Sequence, residues 1–88
     1  FGLTSQMRRC SISIASNLAE GSGRNSFKDK ARFSEIAYGS SLELLNQIIL
    51  SSDFEYINEN EYIQIREKIT EVNMLIDGLY KSQMSNVK

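Results

Sequence analysis

The chain has 88 residues, and its ten basic and eleven acidic side chains leave a net charge of −1. This length allows one domain, which we predict to span residues 1–88. The absence of His excludes a Ser-His-Asp or Cys-His catalytic unit and any His-containing zinc site. The single Cys excludes an internal disulfide and is typical of a reducing compartment, so we expect a cytoplasmic protein.

Two further classes are excluded by charge and hydropathy. A balanced charge is unlike a generally cationic nucleic-acid binder. No apolar run approaches the roughly 20 residues that a membrane span needs, and no secretory signal is visible. We therefore expect no membrane partner.

The chain divides into three predicted helices and no strand. They cover about residues 4–20, 26–52 and 58–82. Gly21 and Gly23 are expected to end the first helix, because Gly adopts the left-handed conformation of a helix end without steric cost. The predicted fold class is therefore all-α.

The third helix has the sharpest pattern. Asn58 and Glu61 have the spacing of a capping box at its start. Positions spaced alternately three and four apart then form a seam, which consists of Tyr62, Ile65, Ile69, Val72, Ile76, Leu79 and Gln83. Such a heptad seam favours packing against a nearly parallel or antiparallel helix.

The first two helices each carry two apolar stripes. In the first helix they are Leu3, Met7, Cys10, Ile14 and Leu18, and then Ile12, Ala15 and Ala19. In the second they are Phe33, Ala37, Leu44 and Ile48, and then Ala31, Tyr38, Leu42, Leu45 and Ile49. Helices that are apolar on two sides need two partners. A fourth helix, other subunits or both must cover these faces, and we predict a homo-oligomer.

Charge is distributed unevenly along the chain. Residues 1–32 carry six basic and two acidic side chains, hence +4, whereas residues 33–80 carry two basic and nine acidic ones, hence −7. Basic groups grip phosphates through guanidinium forks and ammonium groups. The candidate nucleic-acid-binding residues are Arg8, Arg9, Arg24, Lys28 and Lys30. Alternatively, this basic segment meets the acidic part of another subunit or faces water.

Polar residues of the first two helices share sectors that are predicted to meet. Asn17 and Glu20 on the first helix, with Arg32 and Glu43 on the second, are expected to form a structural polar network. The alternative is a ligand or catalytic carboxylate site. Without His or Asp support, two Glu side chains do not make a metal site, and we predict no metal and no cofactor.

Several segments occur in the order of a known protein family. They are Phe1-Gly-Leu-Thr-Ser-Gln-Met-Arg-Arg, Ser11-Ile-Ser-Ile-Ala-Ser-Asn-Leu-Ala-Glu-Gly, Arg24, Arg32-Phe33 and Gly39-Ser-Ser-Leu-Glu-Leu. The combined pattern resembles the four-helix-bundle proteins of the 23S rRNA intervening-sequence family. The chain departs from that family at Ala15, where the family often has Pro.

The resemblance implies an antiparallel four-helix bundle, with the first helix absent from or upstream of this chain, that assembles into a ring-shaped homopentamer. A relative is the accessory protein of diversity-generating retroelements, which binds nucleic acid and a reverse transcriptase. We therefore predict a non-enzymatic oligomeric protein that binds RNA, DNA or a ribonucleoprotein. The alternative hypothesis is a protein–protein assembly module with no nucleic-acid role.

Overall fold

The computed structural model describes residues 2–87, so Phe1 and Lys88 at the ends of the chain lie outside the described residues. Three helices account for most of this range. They are α1 (Gly2–Ser22), α2 (Phe27–Asp53) and α3 (Glu59–Ser85). No strand occurs between residues 2 and 87, so the described chain is all-α.

Side-chain caps begin the second and third helices. The Ser26 hydroxyl accepts a hydrogen bond from the backbone N–H of Asp29 at 3.1 Å. The predicted capping box is confirmed, since Asn58 Oδ1 accepts from the Glu61 N–H at 2.8 Å and Glu61 Oε1 accepts from the Asn58 N–H at 2.9 Å. These caps pair first-turn amides that have no partner within the helix.

The end of α1 differs from the expectation that Gly21 stops the helix in a left-handed conformation. Gly21 lies inside α1 and is buried, and no described glycine has a positive φ. A Cβ atom at this position would lie only 2.9 Å from the Cβ of Phe33 on α2. Gly21 is therefore a point of close approach between α1 and α2, because a residue without a side chain leaves room for Phe33.

The central helix is α2, and the other two helices pack on different sides of it. Ser13 of α1 and Ser40 of α2 share a hydrogen bond of 2.8 Å between their hydroxyl oxygens. On the other side, the Ser34 hydroxyl donates to Oε1 of Gln83 at 2.7 Å. No Cα atom of α1 lies within 8 Å of one in α3. The thickness of 13 Å, against a length of 48 Å, is close to that of one helix layer.

The predicted four-helix bundle is wrong for the described residues, which form three helices in one layer. The helices take 21, 27 and 27 residues, and the links at 23–26 and 54–58 are too short for another helix. A closed bundle also needs each helix to meet two neighbours. Here only α2 has two, because α1 and α3 do not meet.

The buried core of the described chain is small. Its apolar members are Cys10, Ala31, Ala37, Ile48, Ile69 and Ile76, and its polar members are Ser34, Ser41, Ser51 and Gln83. Most of the α2 members are Ala or Ser, and small side chains allow neighbouring helices to approach closely. The predicted α3 seam is only partly buried, since Val72 and Leu79 are exposed.

Large apolar side chains remain exposed on all three helices. The most exposed are Leu75 and Met74 of α3, with 74% and 70% of their surface open to solvent. Ile12 of α1 and Leu42 of α2, which belong to the second stripes of their helices, are also exposed. A single copy thus only partly buries one stripe of each outer helix and leaves apolar surface of the kind that marks association sites.

Candidate nucleic-acid interface

The link between α1 and α2 gathers three of the five candidate nucleic-acid-binding residues. Arg24 lies in the link and Lys28 in the first turn of α2, and both are exposed. The Lys30 ammonium donates a hydrogen bond to the Ser22 carbonyl oxygen at 3.2 Å. Arg32, assigned from the sequence to the polar network, follows on the next turn. We call Arg24, Lys28, Lys30 and Arg32 the basic end.

The other two candidates, Arg8 and Arg9, lie in the first half of α1. They precede Ser22 by a helix length of roughly 20 Å at 1.5 Å per residue. As neighbours in sequence, they also point about 100° apart around the helix axis. The structure therefore does not bring Arg8 and Arg9 together with the basic end.

Phe33 is the aromatic neighbour of two arginines in the basic end. The guanidinium carbon of Arg24 lies 4.8 Å from the centre of the Phe33 ring, and that of Arg32 lies 5.3 Å from it. A cation at this distance is attracted to the ring face. Sequence reasoning did not connect Phe33 with the arginines. The only signal was its position next to Arg32, since the approach of Arg24 depends on how α1 and α2 are aligned.

The four residues of the predicted polar network lie in separate contacts rather than in one shared hydrogen-bond chain. Asn17 donates to the Ser13 carbonyl oxygen at 2.8 Å. Glu20 accepts from Arg24 at 2.6 Å, in a pair whose side chains are 57% and 41% exposed.

The two predicted network residues on α2, Glu43 and Arg32, also make separate contacts. Glu43 accepts from the Cys10 thiol at 3.5 Å, and Arg32 lies against Phe33. A second side-chain hydrogen bond between α1 and α2, besides Cys10–Glu43, joins the hydroxyl groups of Ser13 and Ser40. The charged members of the predicted network, Glu20, Arg32 and Glu43, are all exposed.

Cys10 is buried at the α1–α2 contact. Burial raises the pKa of its thiol above the ordinary value of 9.0, because the thiolate is poorly solvated there. A hydrogen bond from Gln47 lowers the pKa and the Glu43 carboxylate raises it, and the net shift is upward. The thiol is therefore a protonated packing group at neutral pH, as the sequence predicted from its apolar stripe.

Cys10 should react slowly with a thiol reagent. Burial restricts access and the raised pKa keeps the reactive thiolate scarce, so we expect much slower modification by dithionitrobenzoate than in the urea-unfolded chain. The unfolded thiol ionises at lower pH than the folded one, so stability should fall as the pH rises through and above 9.0. Cys10→Ala should remove that part of the pH dependence. Equal reaction rates for the folded and unfolded chains would contradict this prediction.

Two apolar depressions lie away from the basic end. One, of about 410 Å³, is lined by Leu3, Met7, Tyr56 and Ile57 near the α2–α3 link. The other, of about 370 Å³, is a groove between α1 and α3 on α2 that is lined by Ile14, Leu18, Leu44, Ile69 and Val72.

The described part of the chain contains neither a cluster of metal ligands nor a membrane-spanning helix. No three Cys, Asp or Glu side chains between residues 2 and 87 come together as metal ligands. No helix in that range has both the length and the apolarity to cross a bilayer.

Comparisons with known proteins give one family and one structural neighbour. Residues 1–78 match the family model described as 23S rRNA-intervening sequence protein. The comparison with curated proteins gives no match. A crystal structure of a protein with unknown function, from the S23 ribosomal protein family of Bacteroides thetaiotaomicron, superposes with a TM-score of 0.88 and 28% identity over 92% of this chain and 75% of that one. Neither comparison points to catalysis. Since the family model covers most of the sequence, the chain belongs to the 23S rRNA-intervening sequence protein family.

Proposed function

We propose that this protein is a non-enzymatic, self-assembling protein that binds nucleic acid through its basic end. The observation that carries the proposal is the concentration of four cations, Arg24, Lys28, Lys30 and Arg32, at the α1–α2 link. Within residues 2–87, one of them, Arg24, is in an ion pair. Neutralising phosphates with such groups releases condensed counterions, which drives nucleic-acid binding. Arg8 and Arg9 lie apart and have at most a secondary role.

Self-assembly is supported by the apolar surface that one copy leaves open. Leu75, Met74 and Ile12 are more than half exposed. Covering a large apolar side chain contributes roughly 1.5–3 kcal/mol, so association is favoured. The family resemblance implies a ring of five subunits. A ring would repeat the basic end five times and strengthen binding to a long nucleic acid through multivalency.

A second candidate function is a protein assembly module without a nucleic-acid role. The same exposed apolar residues favour it, and so does the net charge of −1 over the whole chain. In this alternative the basic end pairs with acidic residues of a neighbouring subunit. The two functions differ in one measurable property, which is binding to nucleic acid at low salt.

Two measurements test the proposal. Sedimentation velocity at micromolar concentration should show an oligomer, with five subunits as the expected number. Fluorescence anisotropy should show binding to a labelled RNA hairpin or a matched duplex DNA at about 50 mM salt, with affinity falling steeply as salt is raised. A compact monomer would contradict self-assembly. An oligomer that binds neither nucleic acid would leave only the assembly module.

A further inference from the structure

We propose that Arg24 and Arg32, both held against the ring of Phe33, form a clamp for one phosphodiester group of the bound nucleic acid. This inference rests on the proposed function. It names the part of the basic end that makes the decisive contact and the chemical group that it recognises. It does not depend on the number of subunits.

The clamp is built on an anchored ring. Both guanidinium carbons lie within the roughly 6 Å over which a cation is attracted to an aromatic face. Phe33 itself is half-buried, and its Cβ packs where Gly21 leaves room on α1. Side chains that rest on a fixed surface lose less conformational freedom when a ligand binds, so the two arginines are partly preorganised.

Positive charge in the clamp is only partly balanced. Arg24 is paired with Glu20, whereas Arg32 has no carboxylate within 4.0 Å in the part of the chain from residue 2 to residue 87. Asp29 and Glu35, the acidic residues nearest to Arg32 in sequence, form no ion pair in that range. Two guanidinium groups on one ring with a single carboxylate leave a net positive charge that an anion can neutralise.

The existing ion pair does not block a phosphate. The Glu20 side chain is 57% exposed, and exposed pairs of this kind contribute little stability. A phosphate oxygen can therefore take the place of the carboxylate on Arg24 while Arg32 binds a second oxygen.

The chemistry of the two side chains favours a phosphodiester. A guanidinium group offers parallel N–H donors that match two oxygens of one phosphate. Lys28 lies one turn before Arg32 on α2 and is exposed, so it provides a further cation for the next phosphate of a chain. A row of cations beside a two-arginine clamp fits a repeating anion better than a single free ion.

The test compares single-residue variants by anisotropy on a labelled RNA hairpin and a matched duplex DNA. Arg32→Gln and Arg24→Gln should each weaken binding about tenfold, because a charge-assisted hydrogen bond is lost. Each should also lower the slope of log affinity against log salt by about one. Arg32→Lys keeps the positive charge but loses the parallel N–H donors of the guanidinium group. This variant should therefore keep the slope of log affinity against log salt and still bind more weakly.

A matched control separates the clamp from general charge. Arg66 on α3 also lies by an aromatic ring, that of Tyr62, and donates to the Tyr62 hydroxyl at 2.7 Å. Arg66→Gln removes the same charge outside the basic end and should change affinity less than about twofold. Phe33→Leu, with its fold checked by circular dichroism, should weaken binding while every charge remains.

The outcomes distinguish the clamp from the function on which it rests. Absence of wild-type binding would remove both. Wild-type binding with Arg24→Gln and Arg32→Gln indistinguishable from Arg66→Gln would overturn the clamp and leave nucleic-acid binding standing. Displacement of the RNA by inorganic phosphate at constant ionic strength would assign the site to a free anion. Equal displacement by polyglutamate of the same charge would assign it to an acidic protein. Either result would overturn the proposal.

Discussion

Replacing Ile48 with Ala should lower the free energy of unfolding by about 3 kcal/mol. Ile48 is 1% exposed and is the largest side chain that is fully buried in the described residues. Deleting its outer carbons loses the free energy of their burial and leaves a cavity that rigid helices fill only partly. In a core with so few large side chains, this is a substantial part of the total stability. Urea unfolding at one fixed protein concentration measures the change, since association contributes to apparent stability.

The matched control for this change is Ile36→Ala on the same helix. Ile36 is 45% exposed, so the same truncation removes partly hydrated atoms and should cost less than about 1 kcal/mol. If both variants lost the same free energy of unfolding, Ile48 would contribute no more to stability than an exposed residue, and the description of the core would be wrong.

Replacing Gly21 with Ala should destabilise the protein by about 1–3 kcal/mol. Helix propensity alone predicts the opposite, since Ala is favoured over Gly by about 1 kcal/mol inside a helix. The added Cβ would lie 2.9 Å from the Cβ of Phe33 and 3.4 Å from the Lys30 carbonyl oxygen. These atoms belong to or adjoin the α2 backbone, so they move only if the two helices separate. The steric cost should therefore exceed the gain in propensity.

Gly39→Ala is the control that isolates propensity from packing. Gly39 lies inside α2 and is exposed, and an added Cβ would meet no other heavy atom within 4 Å. Its stability should therefore rise by up to about 1 kcal/mol. Thermal or urea unfolding of the two variants side by side gives the comparison. A stabilising Gly21→Ala would show that α1 and α2 are not in close contact at this point.

The Gly21 variant also bears on binding. Pushing Phe33 away from α1 moves the ring that Arg24 and Arg32 share. We therefore expect Gly21→Ala to weaken the RNA binding proposed above, whereas Gly39→Ala should leave it unchanged. Neither substitution alters a charge. The comparison therefore tests whether binding depends on the positions of the arginines as well as on the number of positive charges.

Local sequence determined the three helices and the starts of α2 and α3, whereas α1 begins at Gly2 rather than at about residue 4. The capping box of Asn58 and Glu61 is readable from spacing alone, because both hydrogen bonds lie within one turn. The seam of α3 follows from the same local periodicity, and Ile69 and Ile76 are indeed buried. Apolar stripes on two sides of α1 and α2 indicated more apolar surface than one chain covers, and the exposed Ile12 and Leu42 agree with that inference.

Tertiary structure alone decided which faces meet. That α1 and α3 lie on different sides of α2 without touching could not be read from periodicity, because a stripe shows that a face is buried but not by which helix. The role of Gly21 as a contact point and the meeting of Arg24 with Phe33 both depend on the alignment of α1 against α2. That alignment is set by close packing between residues far apart in sequence. Neither helix propensity nor the distribution of charged residues along the chain contains information about it.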